Sequence, residues 1–206
     1  GDLFDTKNIS ATAKNTVLLG VTSHPQITFY YLRGNHDNDN FLSELAEVPS
    51  NLKLFGSRWT TYEEDGGHIV ISGLELSAEN ANFAYTSLVL DSRKFNIVML
   101  HGQESQGAAR DKAEVINLKA LRNKGIDYLA LGHVHAYKQE RLDARGTYCY
   151  AGCLEGRGFD ECGEHGFVVL DIETGKQASA MGELSGSPDA SAMPFRLPRC
   201  SYEFVP

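Results

Sequence analysis

The stretch from Ile27 to Asp37 constrains the fold more than any other part of the sequence. An apolar run, Ile27 to Leu32, is followed by Arg33 and Gly34 and then by an asparagine, a histidine and an aspartate. Short apolar runs that are rich in β-branched and aromatic residues and end at glycine predict buried strands. In open α/β sheets, ligands bind just beyond the carboxyl ends of such strands. The stretch therefore predicts a strand that delivers polar side chains to a functional site.

The same arrangement recurs at three other places in the chain. These are Gly1-Asp2-Leu3-Phe4-Asp5, Ile97 to Gly102 with its histidine, and Tyr128 to His135, which ends in Gly-His-Val-His. Because the carboxyl ends of parallel strands meet at one edge of a sheet, aspartate, asparagine and histidine side chains are brought to the same region. The pattern predicts a metal site at this edge.

The order of predicted elements is typical of an α/β domain. We predict helices over 8–22, 39–47 and 113–124, strands over 27–32, 52–56, 95–101, 126–131 and 166–172, hairpins of 58–63 with 68–74 and of 136–142 with 147–151, and a polar loop over 102–111. Ser10 or Asn8 is placed to cap the first helix, and Asp65-Gly66-Gly67 is a strong hairpin signal. Alternating strands and helices imply right-handed crossovers and a mainly parallel sheet.

The division of the chain follows from its composition. We expect a catalytic domain over 1–176, a flexible linker rich in serine, glycine and alanine over 177–192, and a C-terminal segment over 193–206 that returns as an edge strand. A chain of 206 residues with 42% hydrophobic and 22% charged residues suits one domain with a sizeable core.

Charge and cysteine content narrow the class of protein. No apolar run is long enough for a membrane span and no signal peptide is visible, so we expect a cytoplasmic protein with no membrane partner. The net charge of −8 is unfavourable for holding a long nucleic-acid backbone, except through a local basic strip. The four cysteines show no C-x-x-C pairing and are expected to be reduced thiols.

The donor types predict which metals bind. Imidazole, amide oxygen and carboxylate together suit manganese, iron or zinc better than magnesium or calcium. A carboxylate such as Asp2 can bridge two ions, and such a pair stabilises the attacking and leaving oxygens at phosphorus while its bridging water becomes hydroxide. We predict two divalent metal ions, with manganese expected and iron or zinc as alternatives.

His36 is the candidate general acid. It directly follows Asn35, so we expect it at the rim of the site, where a protonated imidazole meets a phosphoryl oxygen or protonates the leaving group. Asp5 is its expected partner, because a carboxylate fixes the tautomer and raises the pKa of a histidine. Asp5 and Asp37 could instead cap following helices. Arg157, in a glycine-rich loop, either contacts substrate phosphate or forms an internal ion pair.

Four motifs together resemble those of the calcineurin-like metallophosphoesterases, in the same order and spacing. They are Gly1-Asp2-x-x-Asp5, Gly34-Asn35-His36-Asp37, His101-Gly102 and Gly132-His133-x-His135. Leu3-Phe4, Tyr128 to Leu131 and the loop from Tyr150 to Phe167 further resemble the SbcD-type DNA repair exonuclease branch. The resemblance covers residues 1 to 175.

The resemblance implies a four-layer α/β/β/α sandwich with a dinuclear site at the strand ends. The metal ligands that it implies are Asp2 as the bridge, Asn35, His101 and His133 for one ion, and His135 for the other. It gives His36 the role of acid or phosphate-stabilising residue, oriented by Asp5. It also implies an ATPase partner, which SbcD-type proteins recruit.

The family's first motif, Asp-x-His on an opening strand, has no match in this chain. The second metal position is therefore left with Asp2 and His135. We expect that an N-terminal segment with the opening strand is missing; natural degeneration is the alternative.

These features predict a metal-dependent phosphodiester hydrolase, a DNA exonuclease-like phosphoesterase that uses a metal-bridging hydroxide. Two alternatives stay open. One is a phosphodiesterase for a small nucleotide or cyclic nucleotide, which the acidic balance favours. The other is a catalytically inactive metal-binding domain that recruits a protein partner.

Overall fold

The computed structural model describes residues 1–4, 9–37, 45, 47–105, 115–156, 158–159, 161–173 and 199–206. In chain order its helices and strands are α1 (Ala11–Thr22), β1 (Phe29–Tyr31), β2 (Leu52–Leu54), β3 (Thr60–Glu64), β4 (Ile69–Gly73), α2 (Ala81–Ser87), β5 (Phe95–His101), β6 (Gln103–Ser105), β7 (Val115–Asn117), α3 (Leu118–Leu121), β8 (Tyr128–Gly132), β9 (Lys138–Arg141), β10 (Thr147–Tyr150), β11 (Phe167–Glu173) and β12 (Arg199–Val205).

A six-stranded sheet with the order β3-β4-β5-β8-β10-β9 forms the centre of the molecule. Its four inner strands, β4, β5, β8 and β10, are mutually parallel, and the edge strands β3 and β9 pair antiparallel with their neighbours. The mainly parallel core is confirmed. Because the inner strands run in one direction, their carboxyl ends share one edge, where His101 ends β5 and His133 and His135 follow β8.

Alternation along the strands gives the central sheet two buried faces. Val98, Leu129 and Tyr148 are almost fully buried on one face, in a cluster completed by Leu118 and Leu121 of α3. The intervening residues Phe95, Tyr128 and Cys149 form a separate cluster on the opposite face. Side chains two residues apart in a strand share a face, so this sheet is covered on both sides.

Two small sheets and α1 complete the second half of the sandwich. Strand β1 pairs in parallel with β2, and the pair packs on the central sheet through Leu32, Phe55 and Ile71. Strands β11 and β12 pair antiparallel and pack on the cluster around Tyr128. Helix α1 adjoins β1 across an apolar cavity of about 550 Å³. The architecture is the mixed α/β sandwich that the sequence predicts.

Most local predictions hold in the described residues. Helix α1 begins after Ser10, whose Oγ accepts a hydrogen bond from the Ala13 N–H at 3.1 Å. Both predicted hairpins are present, β3 with β4 and β9 with β10. Strand β12 lies within the predicted C-terminal segment. The domain boundaries stay predictions, because the linker lies outside the described residues. The helix predicted over 39–47 also lies almost entirely outside them.

Two predictions around the segment after β5 are wrong. The expected polar loop begins as strand β6, which pairs in parallel with β7. The helix expected over 113–124 is reduced to α3, because the β-branched pair Val115-Ile116 takes a strand conformation with Ile116 fully buried. The Asn117 side chain then caps α3 by accepting the Ala120 N–H at 3.1 Å. Among the described residues, no helix has the length and apolar character needed to cross a membrane.

Candidate metal centre

The ends of β5 and β8 place two histidines side by side. His101 is the last residue of β5 and pairs in register with Gly132, the last residue of β8. His133 follows immediately with a positive φ of 95°, a conformation that non-glycine residues rarely adopt. The His101 and His133 rings meet edge to face, with centroids 5.3 Å apart. The two imidazoles therefore lie side by side at the ends of neighbouring strands.

Asn35 and Asp2 join these histidines from two further loops. The Asn35 Oδ1 lies 2.9 Å from the Nε2 of His101 and 3.2 Å from the Nδ1 of His133. The Asp2 Oδ2 lies 3.1 Å from the same Nε2. Two imidazole nitrogens, an amide oxygen and a carboxylate oxygen therefore converge on one point. The structure brings together four of the five predicted ligands.

Glycine is required where the backbones of this centre approach most closely. A Cβ at Gly34 would lie 2.0 Å from the Oδ1 of Asp2, and one at Gly132 would lie 2.7 Å from the Nδ1 of His101. Both distances are far below van der Waals contact. The glycines therefore let the carboxylate and the imidazole occupy their positions.

Asp37 connects the two loops that carry Asp2 and Asn35. Its carboxylate accepts hydrogen bonds from the N–H groups of Phe4 and Gly34, both at 3.0 Å. The His36 N–H donates to the Oδ1 of Asp2 at 2.9 Å. Asp37 thus connects the first loop to the loop after β1.

The donor set fits a divalent transition metal. Burial lowers the pKa of His101 to about 4, so its imidazole is neutral at pH 7, as a metal ligand must be. Asp2, like His133, has a positive φ, here 57°. Backbone strain of this kind clusters at functional sites. Nitrogen and oxygen donors in this ratio suit manganese, iron or zinc.

His135 lies apart from these four ligands. Its Nδ1 is hydrogen-bonded to the carboxylate of Glu161, and ligand atoms of His135, Glu161 and Cys153 lie within 4.8 Å of one another. His135 nevertheless shares with Asp2 and His133 the lining of a cavity of about 440 Å³. The two clusters therefore open onto the same space.

Of the remaining predicted site residues, the structure describes His36 alone. His36 is exposed at the rim of the 440 Å³ cavity. Asp5 and Arg157 lie outside the described residues, so their roles stay predictions.

Sequence reasoning did not identify several residues that support the loops around the candidate metal centre. Arg33, before Gly34, forms a bidentate ion pair with Glu75, with Nε 2.8 Å from Oε1, and this hydrogen bonding raises the Arg33 pKa. The buried hydroxyl of Tyr150 donates to the Gly102 carbonyl oxygen at 2.8 Å and so holds the residue after His101. Glu161 lies in the glycine-rich loop, and nothing in the sequence pattern predicts that it pairs with His135.

A mixed α/β sandwich with this donor set at its strand ends is the architecture of a metallophosphoesterase. The family model for calcineurin-like phosphoesterases matches residues 1–137. The chain therefore belongs to the calcineurin-like phosphoesterase family, which implies metal-dependent phosphoester hydrolysis.

Two known proteins are similar to this chain. The uncharacterized metallophosphoesterase YhaO of Bacillus subtilis (strain 168) is 29% identical over an alignment of 186 residues, and the alignment covers 85% of this chain and 45% of the relative. The chain thus spans less than half the length of that relative. The crystal structure of TT1561 of Thermus thermophilus matches with a TM-score of 0.53 at 13% identity and 74% coverage of each chain. At this identity the likeness concerns the fold.

Proposed function

We propose that this chain is the catalytic part of a metal-dependent phosphodiester hydrolase that removes nucleotides from the ends of DNA. The observation that carries the proposal is the convergence of Asp2, Asn35, His101 and His133 at the carboxyl edge of the central sheet. The positive φ angles of Asp2 and His133 support it, because strain is retained where a precise donor geometry is needed.

The protein groups around this centre have distinct tasks. When bound, divalent ions, with manganese expected, activate water and stabilise charge at phosphorus. Asn35, His101 and His133 would hold one ion with Asp2, and His135 is the expected ligand of the other. His36, exposed at the cavity rim, is placed to protonate the leaving oxygen of a substrate in the cavity. Asp37 keeps the two loops together through its backbone hydrogen bonds.

The expected substrate is the end of a DNA strand. The loop from Tyr150 to Phe167 resembles the SbcD-type exonuclease branch in sequence. The cavity volume of about 440 Å³ is in the range of sites for one small molecule. We therefore expect the terminal nucleotide of the strand to occupy this cavity. An ATPase partner and a cytoplasmic location belong to the same proposal.

Nuclease and phosphodiesterase assays on the manganese-loaded chain test this proposal. The substrates are end-labelled linear single-stranded DNA, circular single-stranded DNA of the same length, and bis(p-nitrophenyl) phosphate. We expect mononucleotides from the linear DNA and no cleavage of the circle. His101→Ala removes a ligand and should abolish this activity, whereas His68→Ala, at an exposed turn histidine, should retain it.

Two results would contradict the proposal. Cleavage of bis(p-nitrophenyl) phosphate with untouched DNA would favour a small-nucleotide phosphodiesterase. Bound metal without turnover of any substrate would favour the interaction domain.

A further inference from the structure

We propose that a groove beside the metal centre is a second substrate subsite, which holds the nucleoside that stays on the scissile phosphate. The groove has a volume of about 510 Å³, and its lining includes Asn35 and His101 together with Ser57, Glu75 and Ser77. The inference rests on the proposed phosphodiester hydrolysis. It adds a requirement that a phosphomonoester cannot meet, namely a substituent on each side of the phosphorus.

The metal centre lies between this groove and the 440 Å³ cavity. Asn35 and His101 line the groove, whereas Asp2 and His133 line the cavity. The donor atoms of these four side chains are joined by contacts of 2.9 to 3.2 Å, so a phosphoryl group bound there has open space on two sides. Both volumes are in the range of sites for a small molecule. Each space can therefore take one substituent of a phosphodiester.

The position of His36 determines which substituent enters the groove. His36 lines the 440 Å³ cavity and is absent from the described residues that line the groove. A general acid must lie within reach of the leaving oxygen. The leaving nucleotide therefore occupies the cavity, and the nucleoside that keeps the phosphate faces the groove.

A buried asparagine fixes the two loops that form the outer wall of the groove. Asn80 is 2% exposed, and its Nδ2 donates to the carbonyl oxygens of Ser57 at 3.0 Å and of Glu75 at 2.8 Å. Its Oδ1 accepts the Ser77 N–H at 2.9 Å. A buried polar group that is satisfied in this way makes its surroundings rigid. The wall is therefore formed before a ligand binds, which reduces the entropy cost of binding.

An ion pair connects this wall to the loop that carries Asn35. The Arg33 Nε donates to the Glu75 Oε1 at 2.8 Å, and the Glu75 side chain is 11% exposed. The pair neutralises the guanidinium, and Asp37 and Glu79 add negative charge to the lining. A groove with this charge repels a further phosphate. It therefore suits the uncharged sugar and base of a nucleoside.

Two serine hydroxyls can bind the polar groups of a sugar or base. Among the described residues, neither the Ser57 hydroxyl nor the Ser77 hydroxyl has a hydrogen-bond partner. A hydroxyl both donates and accepts, so it can pair with a sugar oxygen or with a base edge. The half-buried Leu76 adds apolar surface to the same lining. Apolar surface with a few polar groups is the usual composition of a ligand site.

A set of p-nitrophenyl phosphodiesters tests the subsite on the chain loaded with manganese. The esters share the nitrophenolate leaving group and differ in the retained substituent, which is methyl, thymidine joined through its 5′ oxygen, or thymidine joined through its 3′ oxygen. We expect kcat/KM for at least one thymidine ester to exceed that for the methyl ester by at least about tenfold, because even one methylene group in a fitted pocket is worth about 10- to 200-fold. Equal values for all the esters would overturn the inference.

Ser77→Trp and Ser57→Trp fill the groove from two different loops. Each should bring the thymidine-to-methyl ratio close to one, mainly by raising KM for the thymidine ester, and should leave methyl-ester turnover within about twofold. That retained turnover shows that the variant is folded and its metal centre intact. Ser50→Trp is the matched control, because Ser50 is exposed before β2 and does not line the groove. A ratio that persists in both groove variants rules the subsite out.

These outcomes are distinguishable from failure of the proposed DNA cleavage. A chain that prefers a thymidine ester but leaves linear DNA intact keeps the subsite and loses the exonuclease assignment. If no ester is turned over, titration calorimetry gives the Kd of each ester for the unmodified chain and for the variants with tryptophan. Tighter binding of a thymidine ester that is lost in the groove variants supports the subsite, and equal Kd values for thymidine and methyl esters refute it.

Discussion

The Nε2 of His101 lies 2.9 Å from the Oδ1 of Asn35, although 66 residues separate them in the chain. The same amide oxygen lies 3.2 Å from the Nδ1 of His133, which is 98 residues from Asn35. One side chain after β1 thus contacts the ends of β5 and β8. The donors can converge only when both halves of the sandwich are packed, so formation of the centre depends on the complete sheet arrangement.

Adding one methyl group at Gly34 should disrupt this convergence. A Cβ there would lie 2.0 Å from the Asp2 Oδ1, so Gly34→Ala must displace the carboxylate. We expect metal affinity to fall about 10- to 100-fold, as it does when the support of a ligand is lost. Gly56→Ala is the control, because a Cβ at Gly56 meets no atom within 4 Å. Titration calorimetry measures the Mn²⁺ affinity of both variants. Equal affinities would contradict the close approach of Gly34 to the Asp2 carboxylate.

His36→Ala should separate catalysis from metal binding. The side chain is exposed at the cavity rim and its ring is not among the converging donors, so metal content should not change. Turnover should fall by about two to four orders of magnitude, the usual loss for a general acid. Steady-state kinetics and elemental analysis on the same preparation check this. Loss of metal would instead make His36 a ligand.

The metal-free protein should lose stability in acid because of His101. Burial is the main cause that lowers its pKa from 6.5 to about 4, so the folded state binds fewer protons than the unfolded state between these values. Stability therefore rises with pH in this window, by up to about 1.4 kcal/mol per pH unit. It falls as pH drops from 6.5 toward 4 and is constant above 6.5 for this group.

Denaturant unfolding of the unmodified chain and of His101→Gln isolates this contribution. Other titrating groups cancel in the difference between the two free energies of unfolding. We expect that difference to be constant above pH 6.5. Below pH 6.5, the free energy of unfolding of the unmodified chain should fall relative to that of His101→Gln. A difference that does not change between pH 4 and pH 7 would show that burial of His101 does not disfavour its protonation.

The buried hydroxyl of Tyr150 should stabilise the segment that connects His101 to β6. It donates to the Gly102 carbonyl and accepts the Glu104 N–H, both at 2.8 Å. Tyr150→Phe leaves both backbone groups without this partner and should lower the free energy of unfolding by about 1 to 3 kcal/mol. Tyr137→Phe, which removes an exposed hydroxyl, should change it by less than about 0.5 kcal/mol. Similar values for the two variants would count against this role.

Local signals explain which parts of the fold could be predicted. Apolar runs that end at glycine predict the strands that lead to His101 and His133. Asp65-Gly66-Gly67 predicts the hairpin of β3 and β4, because turn formation depends on residues that are adjacent in sequence. The strands β6 and β7 were missed, because their pairing depends on a contact between distant segments rather than on periodicity.

The candidate site could be predicted in part for the same reason. Asn35, His101 and His133 each follow or end a strand, so their convergence was deducible, although β1 lies in a separate two-stranded sheet. The pairing of His135 with Glu161 was not, because 26 residues and an irregular loop separate them. The positive φ of His133 also has no sequence signature, since tertiary packing imposes it.

The most direct test of the central claim is a manganese count per chain by elemental analysis, after loading and removal of free ion. His101→Ala removes a buried nitrogen donor of the centre, and His68→Ala removes an exposed histidine. Circular dichroism establishes that both variants are folded. The unmodified chain and His68→Ala should each retain one manganese ion more than His101→Ala. An equal count in all three folded proteins would contradict the assignment of this centre as a metal site.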